Sequence, residues 1–395
     1  MADWLKRTLK QRSARKFLRN RLAIGALAIV CVFLLIAVST GVFGFIQLED
    51  TFERVGPKSI SGFFRTQLPE KRVEDCYFYL EKVDQALSRG DPQTALADLR
   101  YGQLDVADLP PSELEAIVES GWEIYDELVE TEDLNAAPEV LPQIEQLEAT
   151  AAKLFPAPTG FSALSRGLEM FLGTDMQGRS ITVRAVYSIE VAFKLGVVVA
   201  TISVAVGSLM GAAAAYFGGW VDYLVTWLFT TFSSIPSLVL LVLLAYMFTD
   251  SVFEGTLVPM YIAFSATYWI GPCRVIRGET LKLKELEYVQ AATAVGFSRL
   301  YIMIRHILPN AAHLMLINFS LLFIAAVKGE VILTFLGLGI KNGTSWGIMI
   351  DHSRPEVING FFWQIGTATF LMFVLVLAFN ILSDALQDAF DPKHV

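Results

Sequence analysis

Long stretches without a single charged side chain constrain this chain more than any other feature of its sequence. A helix needs about 20 mostly apolar residues to cross the roughly 30 Å hydrocarbon core of a membrane. Five charge-free stretches reach or approach that length, and they are residues 22–46, 195–217, 223–248, 255–273 and 360–383. With 54% hydrophobic residues, 18% charged residues and a mean hydropathy of +0.49, the composition is that of a membrane protein.

A sixth apolar stretch, residues 314–340, is interrupted by Lys328 and Glu330. A charged side chain at the membrane centre costs roughly 2.5–3.5 kcal/mol, whereas each large aliphatic residue returns about 0.3–0.6 kcal/mol. Because the surrounding aliphatic residues outweigh that cost, we predict an all-α polytopic membrane protein with six transmembrane helices. Their expected bounds are residues 22–46 and about 190–217, 222–248, 255–276, 313–340 and 360–383.

The charges at the start of the chain predict its orientation. Residues 1–21 contain eight Lys and Arg residues and a single acid, Asp3. Since basic segments stay on the cytoplasmic side, this basic tail places the N-terminus in the cytoplasm, and six spans return the C-terminus there. The apolar stretch at 22–46 exceeds a signal-peptide core and no small-residue cleavage pattern follows it, so we expect a retained anchor.

Residues 47–171 are predicted to form an external, acidic, helical insertion. Between residues 47 and 185 there are 26 acidic and 12 basic residues, so the whole-chain charge of −9 originates here. Ser112 and Glu115 have the spacing of a helix capping box, and other amphipathic patterns indicate further helices. Only one of the three cysteines, Cys76, lies in this segment, which leaves no intrachain disulfide framework.

The connection at residues 277–312 is too polar to cross the membrane, and the span count places it in the cytoplasm. Its eight charged residues, at roughly 3 kcal/mol each, outweigh its few aliphatic side chains. Tyr288, Ala291, Ala292 and Val295 follow the i, i+3, i+4, i+7 spacing of one helix face. A narrow apolar face with small residues at its centre suits insertion into a groove of a partner protein.

After this face, Gly296 permits a turn, and a second helical piece is expected from Ser298 to near Pro309, where proline ends it.

The sequence has no motif for nucleotide hydrolysis or metal catalysis. It lacks a G-x-x-x-x-G-K-[ST] phosphate loop and an H-E-x-x-H pair, and its four histidines do not have metal-ligand spacing. We therefore expect no catalytic residue, no metal and no cofactor in this chain. A membrane serine hydrolase using Ser345 of "GTSWG" and nearby His352 is a rival hypothesis, although no nucleophile-elbow pattern accompanies them.

Lys328 and Glu330 are candidate functional charges inside the sixth apolar stretch. Positions two apart on a helix point to nearly opposite sides, so this pair cannot neutralise itself unless Gly329 breaks the helix. Two interpretations stay open at this point. The charges either line a water-filled substrate path or pair with other helices and fix the helix register.

Several motifs resemble the permease subunits of ABC importers. "QAATAVG" followed by "LP" is similar to their EAA loop, in which E-A-A, three residues, G, nine residues and I-x-L-P follow one another. The matching positions are Gln290, Ala291, Ala292, Gly296, Leu308 and Pro309. Two positions depart from the pattern, since Gln290 replaces Glu and His306 replaces Ile.

Further motifs are similar to the second, C-type permease of dipeptide and oligopeptide importers. These are "LGTDMQGRS", "AAYFGGWVD", "SIPSL", "RHILPN", "FLGLG", "SWG" and "LAFNILSDALQDAFDP". The external motif within the first of them consists of Gly173, Thr174, Asp175, Gly178 and Arg179, and Ser180 replaces an Asp of the family pattern. The resemblance covers the first span loosely and residues 172–395 closely, but not about 49–161, where the family has a much shorter connection.

This resemblance implies the type I ABC-importer permease fold in a bacterial inner membrane. It implies a homologous permease as a heterodimer partner, two ABC ATPases that bind the ATP, and a periplasmic or lipid-anchored substrate-binding protein, with no nucleic acid. The residues implied for contact with the ATPases are Glu287, Tyr288, Gln290, Ala291, Ala292, Val295, Gly296, Leu308 and Pro309.

The expected function is ATP-driven import of peptides, with this chain as a transport subunit rather than an enzyme. A permease for nickel chelates, opines or sugars is an open alternative, because specificity is expected to reside mostly in the delivery protein. The second open alternative is a stand-alone secondary transporter or channel.

Overall fold

The computed structural model describes residues 19–58, 69–89, 91–97, 99–101, 104–131, 134, 140–341 and 343–390. Most of the basic tail predicted at residues 1–21 therefore lies outside the described residues, as does Pro392 of the C-terminal motif. The chain divides into two compact units. The membrane unit comprises residues 1–45, 188–351 and 369–395, and the acidic unit comprises residues 46–187 and 352–368.

The described elements are almost all helical, in agreement with the predicted all-α class. The helices are α1 (Arg21–Gly41), α2 (Pro69–Leu87), α3 (Pro92–Ala97), α4 (Pro111–Val129), α5 (Leu141–Leu154), α6 (Phe161–Glu169), α7 (Ile181–Phe217), α8 (Gly219–Ser233), α9 (Ser237–Tyr246), α10 (Val258–Tyr268), α11 (Ile270–Leu283), α12 (Glu287–Val295), α13 (Arg299–Ile302), α14 (Leu308–Asn310), α15 (Ala312–Phe335), α16 (Trp346–His352), α17 (Arg354–Ile358) and α18 (Trp363–Phe390). Two short strands, β1 (Arg100–Tyr101) and β2 (Leu104–Asp105), form an antiparallel hairpin between α3 and α4.

Four helices are long and apolar enough to cross a membrane, namely α1, α7, α15 and α18. A fifth candidate is the pair α8 and α9, which replaces the single span predicted at 222–248 and bends by 87°. The bend lies just before α9, where Pro236 has no backbone N–H to continue the helical ladder. The span predicted at 255–276 falls on two shorter helices, α10 and α11, with Trp269 between them. The structure thus supports several spans, but the described helices do not by themselves give six.

Helix α7 packs closely against the α10–α11 segment through its ladder of small residues. A Cβ atom on Gly207 would lie 2.3 Å from the carbonyl oxygen of Trp269, and one on Gly211 would lie 2.3 Å from that of Cys273. Neither distance leaves room for a side chain, so the two backbones are in direct contact. Small residues at helix interfaces commonly allow this close approach between membrane helices.

Helix α15 lies at the centre of the membrane unit and is continuous through Gly329. A Cβ atom at Gly329 would lie 2.5 Å from the ring of Phe264 in α10, and one at Gly196 in α7 would lie 2.5 Å from the ring of Phe323. Phe323 also stacks on Phe379 of α18 at 4.1 Å between ring centroids. Glycine therefore allows close helix packing here, and the helix break considered for Gly329 does not occur.

The acidic unit has its own hydrophobic core, formed mainly by α2, α4 and α5. The side chains of Leu80, Leu128 and Leu147 are completely buried. Gly121 of α4 packs on Leu80, and Arg72 of α2 donates to both carboxylate oxygens of Glu148 in α5 at 2.8 and 2.6 Å. Helix α4 starts one residue before the predicted capping serine, with Pro110 at its N-cap and no side-chain cap.

Candidate functional site: the 287–310 loop and the buried charge clusters

The EAA-type loop folds into a helix, a tight turn and a broken helical return. Helix α12 begins after Leu286, whose backbone is extended, and it ends at Gly296, which adopts the left-handed conformation with φ 95°. The amide of Phe297 donates to the carbonyl of Ala292 at 3.2 Å and closes the turn. A residue with a Cβ is strained in this conformation, so the chain reversal depends on glycine at this position.

The two sides of α12 have different environments. Val289 and Ala292, which are 1% and 8% exposed, pack with Ile302 and with Tyr216 of α7. Tyr288, Ala291 and Val295 are exposed on the adjoining side of the helix. The predicted docking face is therefore corrected at Ala292, which faces inward because the return segment covers it.

The return segment is less regular than the single helix predicted from Ser298 to Pro309. Ser298 caps α13 by accepting from the amide of Tyr301 at 3.3 Å. A π-helical turn at Met303–Ile307 follows, and Pro309 lies in the first turn of α14 rather than at a helix end. Pro309 is exposed and Leu308 is half-buried.

This fold exposes apolar side chains that the sequence pattern missed. Phe297 and Tyr301 stack with their ring centroids 5.1 Å apart, and both are exposed. Together with the exposed part of α12 they form what we call the loop surface. It consists of Tyr288, Ala291, Val295, Phe297, Leu300, Tyr301 and Ile304.

Polar contacts hold the loop together at its two ends. Asn310 donates to the hydroxyl oxygen of Tyr288 at 3.0 Å, and Gln290 donates to the carbonyl of Glu285 at 3.1 Å. The ring of His306 lies between Tyr288 and Tyr301, with centroid distances of 6.3 and 5.9 Å. The two positions that depart from the family pattern, Gln290 and His306, thus both contact other parts of the loop. Glu287 is exposed in the first turn of α12, where a carboxylate is favoured by the helix dipole.

The base of the loop packs against the membrane helices. Ile307 and Ile276 are completely buried in a cluster that also contains Ala212 of α7 and Met303. Arg277 of α11 forms a bidentate ion pair with Asp222 of α8, at 2.6 and 2.8 Å. The loop is consequently continuous with the packed core of the membrane unit.

Glu330 of α15 is 5% exposed and is hydrogen-bonded to two hydroxyl groups. Its Oε1 accepts from the hydroxyl of Thr334 at 2.9 Å and from that of Ser345 at 2.6 Å. Gly347 makes room for the carboxylate, because a Cβ there would lie 2.8 Å from the same oxygen. These contacts favour the register interpretation for Glu330, since they bind the "SWG" segment to α15.

The same geometry weakens the serine hydrolase hypothesis. The Ser345 hydroxyl donates to Glu330, and its oxygen accepts from the amide of Ile348 at 3.2 Å. His352 instead lies 3.4 Å from Arg179 through its Nδ1 atom. A serine nucleophile needs its hydroxyl hydrogen-bonded to a base such as histidine, whereas the Ser345 hydroxyl is bonded to Glu330.

Lys328 is exposed on the other side of α15, as the spacing predicted. No ion pair with it occurs among the residues that the structure describes. The two charges therefore have different surroundings. The sequence pattern alone, two charges in an apolar stretch, could not predict this difference.

The external motif of the acidic unit folds into a tight turn around Asp175. One carboxylate oxygen of Asp175 accepts from the amides of Gln177 and Arg179 at 2.8 and 3.0 Å, and the other accepts from Arg179 Nε at 2.8 Å. Gly178 has φ 77° and packs on the backbone of Gly56, where a Cβ would lie 2.3 Å from a carbonyl oxygen. The motif is a structural turn built on a buried carboxylate.

The other residues of the motif support the turn. Gly173 has φ 85°, a conformation that favours glycine, and the Thr174 hydroxyl donates to the carbonyl of Pro57 at 2.7 Å. Ser180, in place of the family's Asp, accepts from the amide of Val183 at 3.1 Å. It thereby caps α7, as an aspartate would.

Three further residues, which the sequence motifs did not indicate, contact this cluster. Arg184 donates to Asp175 at 2.6 Å and contacts Gln364 at 3.4 Å, and Glu356 accepts from the amide of Met176 at 2.8 Å. Burial, followed by the nearby Asp175 charge, raises the pKa of Glu356 to about 7, although the Met176 amide and the two arginines oppose the shift. Glu356 lies far along the chain in an unremarkable polar stretch, so only the fold brings it here. No group of residues suited to hold a metal ion occurs in the described part of the chain.

Comparisons with a family model and with individual proteins point to the same protein family. The family model of the binding-protein-dependent transport system inner membrane component matches residues 203–394. The dipeptide transport system permease protein DppC of Bacillus subtilis is 33% identical over 224 residues, which cover 56% of this chain and 68% of the relative. The oligopeptide transport system permease protein OppC of Haemophilus influenzae is 35% identical over 224 residues, 56% of this chain and 70% of the relative.

An oligopeptide permease OppC of Mycobacterium tuberculosis is 32% identical over 236 residues, 59% of this chain and 79% of the relative. The matched family segment contains α8 to α18 and the whole EAA-type loop. The multi-pass arrangement of apolar helices agrees with a component of the inner membrane. The chain therefore belongs to the binding-protein-dependent permeases, the membrane-spanning transport subunits of ABC importers, in their dipeptide and oligopeptide branch.

Proposed function

We propose that this chain forms half of the substrate path of an ATP-driven peptide importer, together with a homologous permease. Two separate ABC ATPases would supply the energy, and an external substrate-binding protein would deliver the peptide. Peptides are the favoured cargo because the relatives include both dipeptide and oligopeptide permeases. The six-span topology belongs to this proposal, with α8–α9 and α10–α11 as two broken spans, both termini in the cytoplasm and residues 47–171 outside.

The observation that carries the proposal is the architecture of the 287–310 loop. It presents the exposed loop surface to a partner while its inner side is continuous with the membrane core through Ile302, Ile307 and Tyr216. A partner that closes on ATP binding would therefore move the loop as a rigid lever. That movement would switch the membrane helices between inward-open and outward-open states.

Within this loop we propose Glu287, Tyr288, Gln290, Ala291, Val295, Gly296, Leu308 and Pro309 as the coupling residues, with Ala292 acting from inside. Tyr288 and Val295, which are 42% and 75% exposed, supply the apolar contact. Gly296 acts by setting the angle between α12 and the return segment rather than by touching the partner.

The Gly296→Val substitution tests coupling. No heavy atom other than its neighbours lies within 4 Å of a Cβ at Gly296, so the substitution causes no clash and acts only through the backbone at φ 95°. A β-branched residue in that conformation costs about 1–3 kcal/mol and should reorient α12. We expect membrane insertion to persist, while peptide-stimulated ATP hydrolysis and uptake by the complete transporter are lost.

Gly278→Ala is the matched control, since Gly278 is also exposed with open space around it but lies in a regular helix. Normal uptake by the Gly296→Val transporter would refute the coupling role. Uptake that continues without any ATPase subunit would instead favour a secondary transporter.

The acidic segment at 47–171 is proposed to dock the substrate-binding protein. Its support is the separate core of α2, α4 and α5 together with the concentration of acidic charge in this part of the chain. Replacing residues 73–154 with a short linker and measuring the affinity of the complex for the binding protein tests this. Unchanged affinity would exclude docking by this segment.

A further inference from the structure

Helix α15 carries two ionisable side chains, and the chain provides partners for only one of them. The carboxylate of Glu330 is buried and accepts from Thr334 and Ser345. The ammonium of Lys328 is exposed, and no described residue forms an ion pair or hydrogen bond with it. A group that neutralises Lys328 must therefore come from outside the described part of this chain.

The surroundings of Lys328 are apolar. Leu321, Ala325, Lys328, Ile332 and Phe335 follow alternating spacings of four and three residues, which place them on one face of α15. Leu321, Ile332 and Phe335 are each about half exposed. Lys328 lies about 10 Å from the end of α15 at Phe335, at a rise of 1.5 Å per residue. An ammonium facing lipid at this depth costs up to roughly 3 kcal/mol, so a permanent lipid-facing position is disfavoured.

The neighbouring helices α7 and α10 supply no counter-charge for Lys328. Helix α10, which packs against α15 at Gly329, contains no acidic residue. Helix α7 contacts α15 through Phe193 and Phe323, whose ring centroids are 5.3 Å apart, and its Glu190 is buried and paired with Lys194. Lys194 and Lys328 are exposed, whereas the carboxylates of Glu190 and Glu330 are buried.

We propose that Lys328 binds the C-terminal carboxylate of the transported peptide and selects for cargo with a free C-terminus. This inference rests on the proposed function of peptide import. Every unmodified peptide carries that carboxylate, and an exposed ammonium forms a charge-assisted hydrogen bond with it. A lysine is suited to cargo of variable shape, because its ammonium is a point charge on a flexible stem rather than a fixed fork.

The test compares uptake of alanyl-alanine with uptake of alanyl-alanine amide, which differ only at the C-terminal group. The complete transporter, with both permeases, both ATPases and the binding protein, is reconstituted in proteoliposomes. Wild type is compared with Lys328→Gln and Lys328→Arg at equal amounts of assembled complex. Because the binding protein is identical throughout, its own preference cancels when the acid-to-amide uptake ratios of variant and wild type are compared.

We expect Lys328→Gln to lower the acid-to-amide ratio about tenfold by reducing uptake of the free acid alone, since the variant has lost a charge-assisted contact. Lys328→Arg should have an acid-to-amide uptake ratio close to that of the wild type. Lys282→Gln is the control, because Lys282 is also an exposed lysine but pairs with Glu279 on α11. It should leave the ratio unchanged.

Three outcomes would overturn the inference. A parallel loss for acid and amide would indicate that Lys328 pairs with a carboxylate of the partner permease. An unchanged ratio with normal uptake would indicate a lysine that extends to lipid headgroups. Failure of the wild-type transporter to take up either peptide would overturn the proposed function itself, and this inference with it.

Discussion

At the scale of single residues, buried carboxylates organise both units. Asp175, Glu330 and Glu356 are each at most 5% exposed, and each accepts a hydrogen bond from a donor on a neighbouring segment. A buried charge of this kind is costly unless its partners are complete, so removing one donor should have a measurable effect. The sequence drew attention to Asp175 and Glu330 through their motifs. It gave no sign of Glu356, whose partners lie 180 residues earlier in the chain.

The Ser345→Ala substitution should destabilise the membrane unit without abolishing a catalytic activity. It removes the 2.6 Å donor to the Glu330 carboxylate and leaves that group short of one hydrogen bond. The expected cost is about 1–3 kcal/mol. The thermal midpoint of the purified complex should fall, and Ser237→Ala, at an exposed serine of α9, should leave it unchanged. An unaltered midpoint for Ser345→Ala would contradict the assigned role of this hydroxyl.

Glu356 should make stability depend on pH near neutrality. Its pKa is about 7 in the folded protein and ordinarily 4.5, so folding favours the neutral form. The stability associated with this group is fully present below about pH 4.5 and is lost as pH rises through about 7.

The comparison with Glu356→Gln isolates this group from the others facing it, which are Asp175, Arg179 and Arg184. Between pH 5 and 8 we expect the midpoint of wild type to fall relative to that of the variant by about 5 °C. A difference between wild type and variant that stays constant across this range would rule out the titration.

At the scale of elements, apolar periodicity predicted where helices form but not where they break. The α8–α9 stretch has no charged residue from 223 to 248, so hydropathy alone reads it as one span. The 87° bend depends on Pro236 and on the packing of Leu241 and Ala245 against α7, α10 and α15. In the EAA-type loop the pattern located the helix and its glycine turn. The pattern did not predict that Ala292 is buried, because Ile302 on the return segment covers it.

The glycines of α7 offer an element-scale test of the packing. Gly207→Ala places a methyl group where a Cβ would lie 2.3 Å from a backbone oxygen of Trp269, and backbone atoms cannot move aside as a side chain can. We expect at least about 1–3 kcal/mol of destabilisation and a clear loss of monodisperse protein in detergent, measured by fluorescence size-exclusion chromatography. Gly366→Ala in α18 is the matched control, since open space surrounds it. Equal yields for the two variants would show that α7 does not pack in this way.

At the scale of the whole molecule, two kinds of core coexist in one chain. The membrane unit buries glycines and aromatic rings between helices that expose apolar side chains outward, whereas the acidic unit buries leucines beneath a charged surface. Composition predicted this division, because charge is concentrated between residues 47 and 185 and is nearly absent from the apolar stretches. The internal packing of the acidic unit could not be predicted, since several pairings of short amphipathic helices fit the same pattern.

The separate core predicts that residues 69–154 fold when expressed alone. Their core holds seven side chains at 0–1% exposure, which are Leu80, Val83, Leu114, Leu128, Ile144, Leu147 and Leu154. The Arg72–Glu148 ion pair joins the first and last helices. We expect a soluble, helical fragment with a cooperative thermal transition by circular dichroism. Leu80→Ala should lower its free energy of unfolding by about 2–5 kcal/mol, whereas Val129→Ala, at an exposed position of the same bundle, should have little effect.

The fragment should also be stabilised by salt. It contains 21 acidic and 6 basic residues, so like charges repel across its surface in the folded state more than in the expanded chain. Raising the ionic strength from about 0.01 to about 0.15 M shortens the Debye length from about 30 to about 8 Å and screens that repulsion. The thermal midpoint should therefore rise with sodium chloride over this range. A midpoint that falls instead would show that attractive pairs such as Arg72–Glu148 outweigh the net repulsion, and a fragment without any cooperative transition would show that the core needs the rest of the chain.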